Sequence, residues 1–206
     1  MFANWFSRCI GNGGAVSAAP AIDADAQAWA DAVTLAGGTY SEGDLTAMEA
    51  FIVAAKANSY WDDLTCFGPL YGADLAAALV QRKNGVWAPA TNVNFVGGDY
   101  TRATGLTGNG SSKYLNTGLV AGTLTLNDTH FGLYNRSTDE CTAYAYSTGA
   151  GETLQCSAPS GASVYQSGHY DIGASQLSAA AGSSVAHGFV LGSRIASNDH
   201  ALYRNG

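Results

Sequence analysis

Two pairs of adjacent acids, Asp62-Asp63 and Asp139-Glu140, come nearest in this chain to a general acid–base pair. Glycosidase carboxyls must face each other about 5–10 Å apart across a cleft. Neighbours along a strand point to opposite sides of it, so neither pair meets that demand. The four histidines, His130, His169, His187 and His200, are dispersed without close metal-ligand spacing. Serines are abundant, but there is no Gly-x-Ser-x-Gly elbow to raise one as a nucleophile. Gly108-Asn109-Gly110 lacks the following helix and lysine of a phosphate loop. This set predicts neither an enzyme nor a cofactor.

Cys9, Cys66, Cys141 and Cys156 show no Cys-x-x-Cys spacing and no histidine at ligand distance, so no zinc site is expected. If 142–147 pairs with 150–155 around Thr148-Gly149, Cys141 falls opposite Cys156. Opposed hairpin positions bring Cβ atoms to about 4.5–5.5 Å, within reach of a disulfide after small adjustment. Two buried thiols are the alternative. An oxidised pair would point to an extracellular working life.

The elements that must position any site fall into two halves with different periods. In the first, Asp23 or Asp25 can cap a helix with Ala26, Trp29, Ala30 and Val33 on one face, ended by Gly37-Gly38. Ser41 and Asp44 resemble a capping box for a second helix. Its stripe is Leu45, Met48, Ile52 and Ala55, broadened by Phe51, and it frays near Asn58. A short turn from Ser59 holds Tyr60, Trp61 and Leu64, and a third helix is read from Asp74 to Gln81, stopped by Asn84-Gly85. Helices this short bury little alone and are expected to pack on each other, on the second half or on another subunit.

The period shifts to two from Asn92 onward. Short runs around Phe95, Tyr100, Tyr114 and Leu115 are cut by glycines, and His130–Tyr134 alternates about Phe131 and Leu133. Thr142–Tyr146, Ser163–Tyr165, Gly188–Leu191 and Ala201–Tyr203 supply further strands. Turn residues every eight to twelve positions fit an antiparallel jelly-roll-like sandwich. The fold class expected is therefore α+β: an arm over 1–22, a helical attachment region over 23–87, and a β-sandwich over 88–206. Asn205-Gly206 is a strong hairpin turn with no returning strand, which suggests a shortened sequence ahead of a strand donated by a neighbour.

Composition narrows the partners. Sixteen acidic and 9 basic residues among 206 give a net charge of −7, which repels phosphate backbones and argues against nucleic acid. Only 12% of residues are charged, below the roughly 25% of an ordinary domain, so the surface is largely neutral and polar. No apolar run approaches the ~20 residues of a membrane span. The N-terminus lacks a basic start and a long apolar run, so it is not read as a secretory leader. Its Phe2, Trp5, Phe6 and Ile10 suit an assembly arm that orders on a partner, against the plainer reading of a disordered start.

The run Asn94-Phe95-Val96, Asp99-Tyr100, Thr104-Gly105-Leu106 and Gly108 through Leu115 resembles a family of bacteriophage virion structural proteins. Gly132-Leu133-Tyr134, Gly192-Ser193-Arg194 and Tyr203 through Gly206 carry the likeness further, as does the helical stretch around Phe51-Ile52, Ala55–Ala57 and Tyr60–Asp62. That family joins a short helical region to a laminin-G-like, concanavalin A-like jelly roll. The resemblance implies a non-enzymatic virion protein of tail, fibre or capsid surface, bound to other virion proteins and to copies of itself. Sandwiches of this kind can hold calcium and sugars at a rim. Asp99, Asn127, Asp128 and Asp171 are the oxygen donors a calcium ion would use, though turn capping is the commoner role and no metal is expected. The alternative function is a lectin-like module for host surface glycan, with Tyr144, Tyr146, Tyr165, Tyr170 and Tyr203 available to stack on sugars. Tyrosines alternating on strands are more often sheet packing.

Overall fold

Helix α1 (Ala24–Leu35) starts where the Asp23 carboxylate accepts a hydrogen bond from the Asp25 amide. Its buried face carries Ala26, Trp29, Ala30 and Val33, as the spacing requires, with Ala32 beside them. Gly37 then turns into the left-handed region at φ 75°, and the Gly38 amide donates back to the Val33 carbonyl at 2.9 Å. That is the glycine-ended stop anticipated from the sequence. Helix α2 (Glu42–Ala57) opens on a full capping box between Ser41 and Asp44 and closes at Asn58. Met48, Ile52 and Ala55 are buried, Leu45 is half-buried and Phe51 lies at the edge. The computed structural model describes residues 21–120, 123–125, 128–135, 141–146, 153–158, 164–169, 176–180, 188–196 and 199–205; for 141–180 it gives backbone and register.

The third helix is a correction. Helix α3 covers only Leu75–Ala78, and the chain leaves it as strand β2 (Val80–Lys83). Asn84 and Gly85, with φ 49° and 81°, form the two-residue turn that returns the chain as β3 (Val86–Pro89). Lys83 pairs with Val86 across it. Both turn positions tolerate positive φ, so Asn-Gly here builds a hairpin and does not cap a helix. Strand β1 (Cys66–Phe67) completes a three-stranded antiparallel sheet, β1-β2-β3. The region read as helical thus contains a sheet, and the division placed at residue 88 falls inside β3.

Helix α1 packs on α2, α3, β2 and β3, around a core of Trp29, Val33, Met48, Ile52, Trp61, Val80 and Trp87. Each such side chain contributes about 1.5–3 kcal/mol when fully buried. This half therefore has a core of its own. Phe51 and Phe67 stack at 4.9 Å between centroids, and Trp61 meets Phe51, Phe67 and Trp87. The buried Arg82 lies 4.4 Å from the centre of the Trp61 ring and donates to the Trp61 and Leu64 carbonyls.

Beyond β3 the strands are short. β4 (Thr91–Val93) pairs with β7 (Tyr114–Asn116), and β5 (Tyr100–Thr101) with β6 (Gly105–Leu106). Side chains hold the loops between them. Asn92 and the Phe95 backbone exchange two hydrogen bonds at 2.9 Å, and Asn109 Oδ1 accepts from the Ser111, Ser112 and Lys113 amides. The polar, glycine-rich run at 94–118 is thus a set of locally closed loops.

Longer strands follow: β8 (Thr129–Asn135), β9 (Cys141–Tyr146), β10 (Thr153–Ala158), β11 (Val164–His169), β12 (Gln176–Ala180), β13 (Gly188–Ala196) and β14 (Asp199–Asn205). They form one sheet in the order β12-β11-β10-β9 and another in the order β14-β13-β8. Every described pairing is antiparallel. Across the two sheets β12 approaches β14, β11 approaches β13, and β10 approaches β13 and β8. The architecture is α+β, with helices first and small antiparallel sheets after.

Candidate functional site

Asp23, Asp25, Asp44, Asp74 and Asp99 are engaged in holding the fold. Lys56 Nζ sits 2.7 Å from both Asp23 Oδ1 and Asp25 Oδ2, tying the end of α2 to the start of α1. That hydrogen bond from Lys56 holds the Asp23 carboxyl below the usual carboxylate range. Asp74 caps α3 through the Ala77 amide and receives the Thr39 amide and hydroxyl at 2.8 and 2.6 Å. Burial disfavours its charge, but these donors outweigh it and the carboxyl is shifted down. Asp44 is 1% exposed. Burial is again the largest influence on it, and the Ser41 amide and hydroxyl, Tyr71 and Arg102 reverse it into a lowered carboxyl. General acids need the opposite shift.

A different chemistry appears on the outer face of the β14-β13-β8 sheet. Phe189 on the central strand pairs directly with Tyr134 on β8, and Leu191 pairs with Tyr203 on β14 and with Gly132 on β8. Directly paired and alternate positions share a face, so Tyr134, Phe189, Leu191 and Tyr203 stand together. Tyr134, Phe189 and Tyr203 are 63%, 38% and 58% exposed. A Cβ on Gly132 would meet Phe189 Cζ at 2.6 Å, so the phenyl ring lies over the bare glycine backbone. Beyond them on the same face stand Ser193 and His130, the latter with Nε2 4.0 Å from Asp128 Oδ1. The result is a broad apolar surface with phenol hydroxyls and a polar end.

A shallow depression of ≈ 210 Å³ lies elsewhere, beside β3, lined by Gln81, Lys83, Val86, Thr91, Asn116 and Gly118 among others. Its gripping groups already hold its own wall: Gln81 Nε2 donates to the Thr117 carbonyl at 2.9 Å, and Lys83 Nζ to that of Gly118 at 3.3 Å. Cys66 nearby is a half-buried free thiol whose pKa burial pushes up, away from nucleophilic readiness.

The residues singled out from the sequence are scattered. Phe2, Trp5, Phe6 and Ile10 of the arm, and Asn127, Tyr170 and Asp171, lie outside the described residues. Register places Tyr144 and Tyr146 on one face of their sheet and Tyr165, by alternation, on the other. Cys141 pairs with Ala158, and Cys156 with Ala143, in a register that sets Tyr146 opposite Thr153. The direct opposition on which the disulfide reading depended is thus replaced by a diagonal placement, two positions out of register. Of the calcium candidates, Asp99 binds Lys113 Nζ at 2.6 Å and the Val96 amide at 2.7 Å, while Asp128 is exposed near His130. The Lys113 hydrogen bond keeps the Asp99 carboxyl low. Among the described residues no three His, Cys, Asp or Glu side chains gather as metal ligands, and no helix is long and apolar enough to cross a membrane.

Tyr134 and Phe189 lie far apart in sequence and meet only through strand register. An alternation of Phe131 and Leu133 inward against His130 and Tyr134 outward was the one local signal. Compared with protein-family models, curated proteins and solved structures, the chain matches none.

Proposed function

We propose that this chain is a non-enzymatic structural protein of a bacteriophage particle, in tail, fibre or capsid surface, and that it acts by adhesion between folded surfaces. In this reading the β12-β11-β10-β9 and β14-β13-β8 sheets are the two layers of a concanavalin A-like sandwich, and the first residues attach the chain to other virion proteins or to further copies. The pairwise approach of strands across the two sheets, in matching order, supports the sandwich.

One observation carries the functional reading: acids are held ionised in caps and ion pairs while large aromatic side chains stand on the outer sheet face. Such a surface is suited to holding partners. The low charge of the chain and the apolar tip formed by Phe2, Trp5, Phe6 and Ile10 support it from the sequence side. Deleting residues 1–20 should remove the protein from isolated particles while the remainder stays folded by circular dichroism. Undiminished incorporation would overturn the attachment role.

A further inference from the structure

We propose that the Asn84-Gly85 turn is a modification site, where the chain deamidates by its own chemistry to aspartate and isoaspartate. The inference extends beyond the particle reading and does not depend on it. The Gly85 amide loses its proton to solvent, and its nitrogen attacks Asn84 Cγ. The Cγ–Nδ2 bond breaks and ammonia leaves, taking a proton from water, so that a cyclic imide remains. Water then adds to one of the two imide carbonyls. Opening at the side-chain carbonyl gives aspartate. Opening at the main-chain carbonyl gives isoaspartate, whose backbone runs through Cγ. Glycine favours the attack because it has no Cβ to crowd the ring.

The sequence holds four Asn-Gly pairs, at 12–13, 84–85, 109–110 and 205–206, and the structure describes both members of the middle two. Those two differ sharply. Asn109 is locked: its Oδ1 accepts from the Ser111, Ser112 and Lys113 amides, and its Nδ2 donates to Ser112 Oγ at 2.9 Å. Asn84 and Gly85 are both exposed. The Asn84 backbone amide donates to the Thr65 carbonyl at 2.8 Å. Among the described residues, however, neither the Asn84 side chain nor the Gly85 amide has a hydrogen-bond partner. Electrophile and nucleophile are therefore both free to meet. A Cβ built on Gly85 would lie 3.9 Å from Arg82 Nη2, so a guanidinium stands beside the peptide that must lose a proton. Asn84 occupies this place because the hairpin demands positive φ, 49° at Asn84 and 81° at Gly85, which few other side chains accept. Isoaspartate adds a methylene to the turn backbone, so Lys83 and Val86 lose their pairing across it. Strands β2 and β3 carry Val80 and Trp87 of the core, and the damage therefore reaches the helical half.

The test ages the full chain in mildly alkaline heavy-oxygen water, folded and in guanidinium chloride, and reads the peptides carrying residues 84 and 109 by mass spectrometry. In the fold, residue 84 should convert about tenfold or more faster than residue 109, whose side chain must first surrender several hydrogen bonds. Unfolded, the two should convert at similar rates, since each is an asparagine followed by glycine. The deamidated chains, more negative by one charge, separate by ion exchange and should melt below the parent. Asn84→Asp adds the same charge on an unaltered backbone and should melt close to the parent. The proposal is overturned if residue 84 stays intact in the fold while the unfolded chain converts, or if residue 109 converts as fast as residue 84. Deamidated chains that melt like Asn84→Asp would overturn the isoaspartate route.

Discussion

Asp44 Oδ2 lies 2.7 Å from Arg102 Nη2, a contact that joins α2 to the β5–β6 turn across 58 positions of sequence. The same carboxylate completes the Ser41 capping box, so one side chain starts a helix and fastens a distant turn to it. Arg102 also reaches the Gly72 carbonyl, which accepts the Tyr100 hydroxyl at 3.0 Å. The two partners differ in exposure, with Asp44 at 1% and Arg102 at 48% for the side chain. Removing the buried partner should therefore cost more. We predict that Asp44→Ala loses about 2–4 kcal/mol in urea denaturation, from a lost cap and a lost charged hydrogen bond. Arg102→Gln should lose about 1 kcal/mol, since its charge is already screened by water. Equal losses would show that the contact with Arg102 carries the whole effect and the cap adds nothing.

Stability should fall in acid. Asp23, Asp44, Asp74 and Asp99 all have carboxyls lowered in the fold. A lowered folded pKa gives stability that is fully present above the unfolded value, about 3.9 for aspartate, and is lost as pH falls through the folded value. Thermal unfolding should thus be flat from neutral pH to about pH 5 and drop steeply below about 4. Lys56 has the opposite sign: its raised pKa stabilises below about 10.4 and fades only above that. A midpoint that rises on acidification below pH 4 would contradict these assignments.

The two glycines that end α1 should respond differently to alanine. Gly37 has φ 75° with nothing near its missing Cβ, so Gly37→Ala costs only the left-handed penalty, roughly 1–2 kcal/mol. A Cβ on Gly38 would lie 2.5 Å from the Ala77 backbone nitrogen. Backbone must move to admit it, and we expect about 3 kcal/mol or more. Chemical denaturation of the two variants checks the order, and a reversed order would mean that α3 does not pack against this loop.

The sequence-based reading succeeded where a signal is local. Caps at Asp23 and Ser41, the stripe of Met48, Ile52 and Ala55, and the glycine stop at Gly37 all depend on residues within one or two turns of each other. It failed at 79–89, where the alanines of α3 suggested a longer helix and the turn chemistry of Asn84-Gly85 was the better guide. It misplaced the β9–β10 register by assuming a two-residue turn, whereas Tyr146 stands opposite Thr153. Of the three exposed rings on the outer face, Tyr203 alone is among the tyrosines that the sequence offers for stacking on sugars. Tyr134 and Phe189 come together through pairing of strands more than fifty residues apart, a non-local fact that no window of sequence contains.

Gly132 tests the geometry of the outer face without touching its chemistry. Gly132→Val should displace the Phe189 ring, since a Cβ there would meet Cζ at 2.6 Å. We expect a loss of about 1–3 kcal/mol and a shifted aromatic proton environment in NMR spectra. An unperturbed Phe189 signal would show that the ring does not rest on the glycine.

Light scattering of the purified full chain across a wide concentration range bears most directly on the claim that this protein works by holding surfaces together. Adhesion through its leading residues predicts a defined assembly of many copies, lost when residues 1–20 are removed. A particle of single-chain mass at every concentration, alone and with particle components, would contradict it.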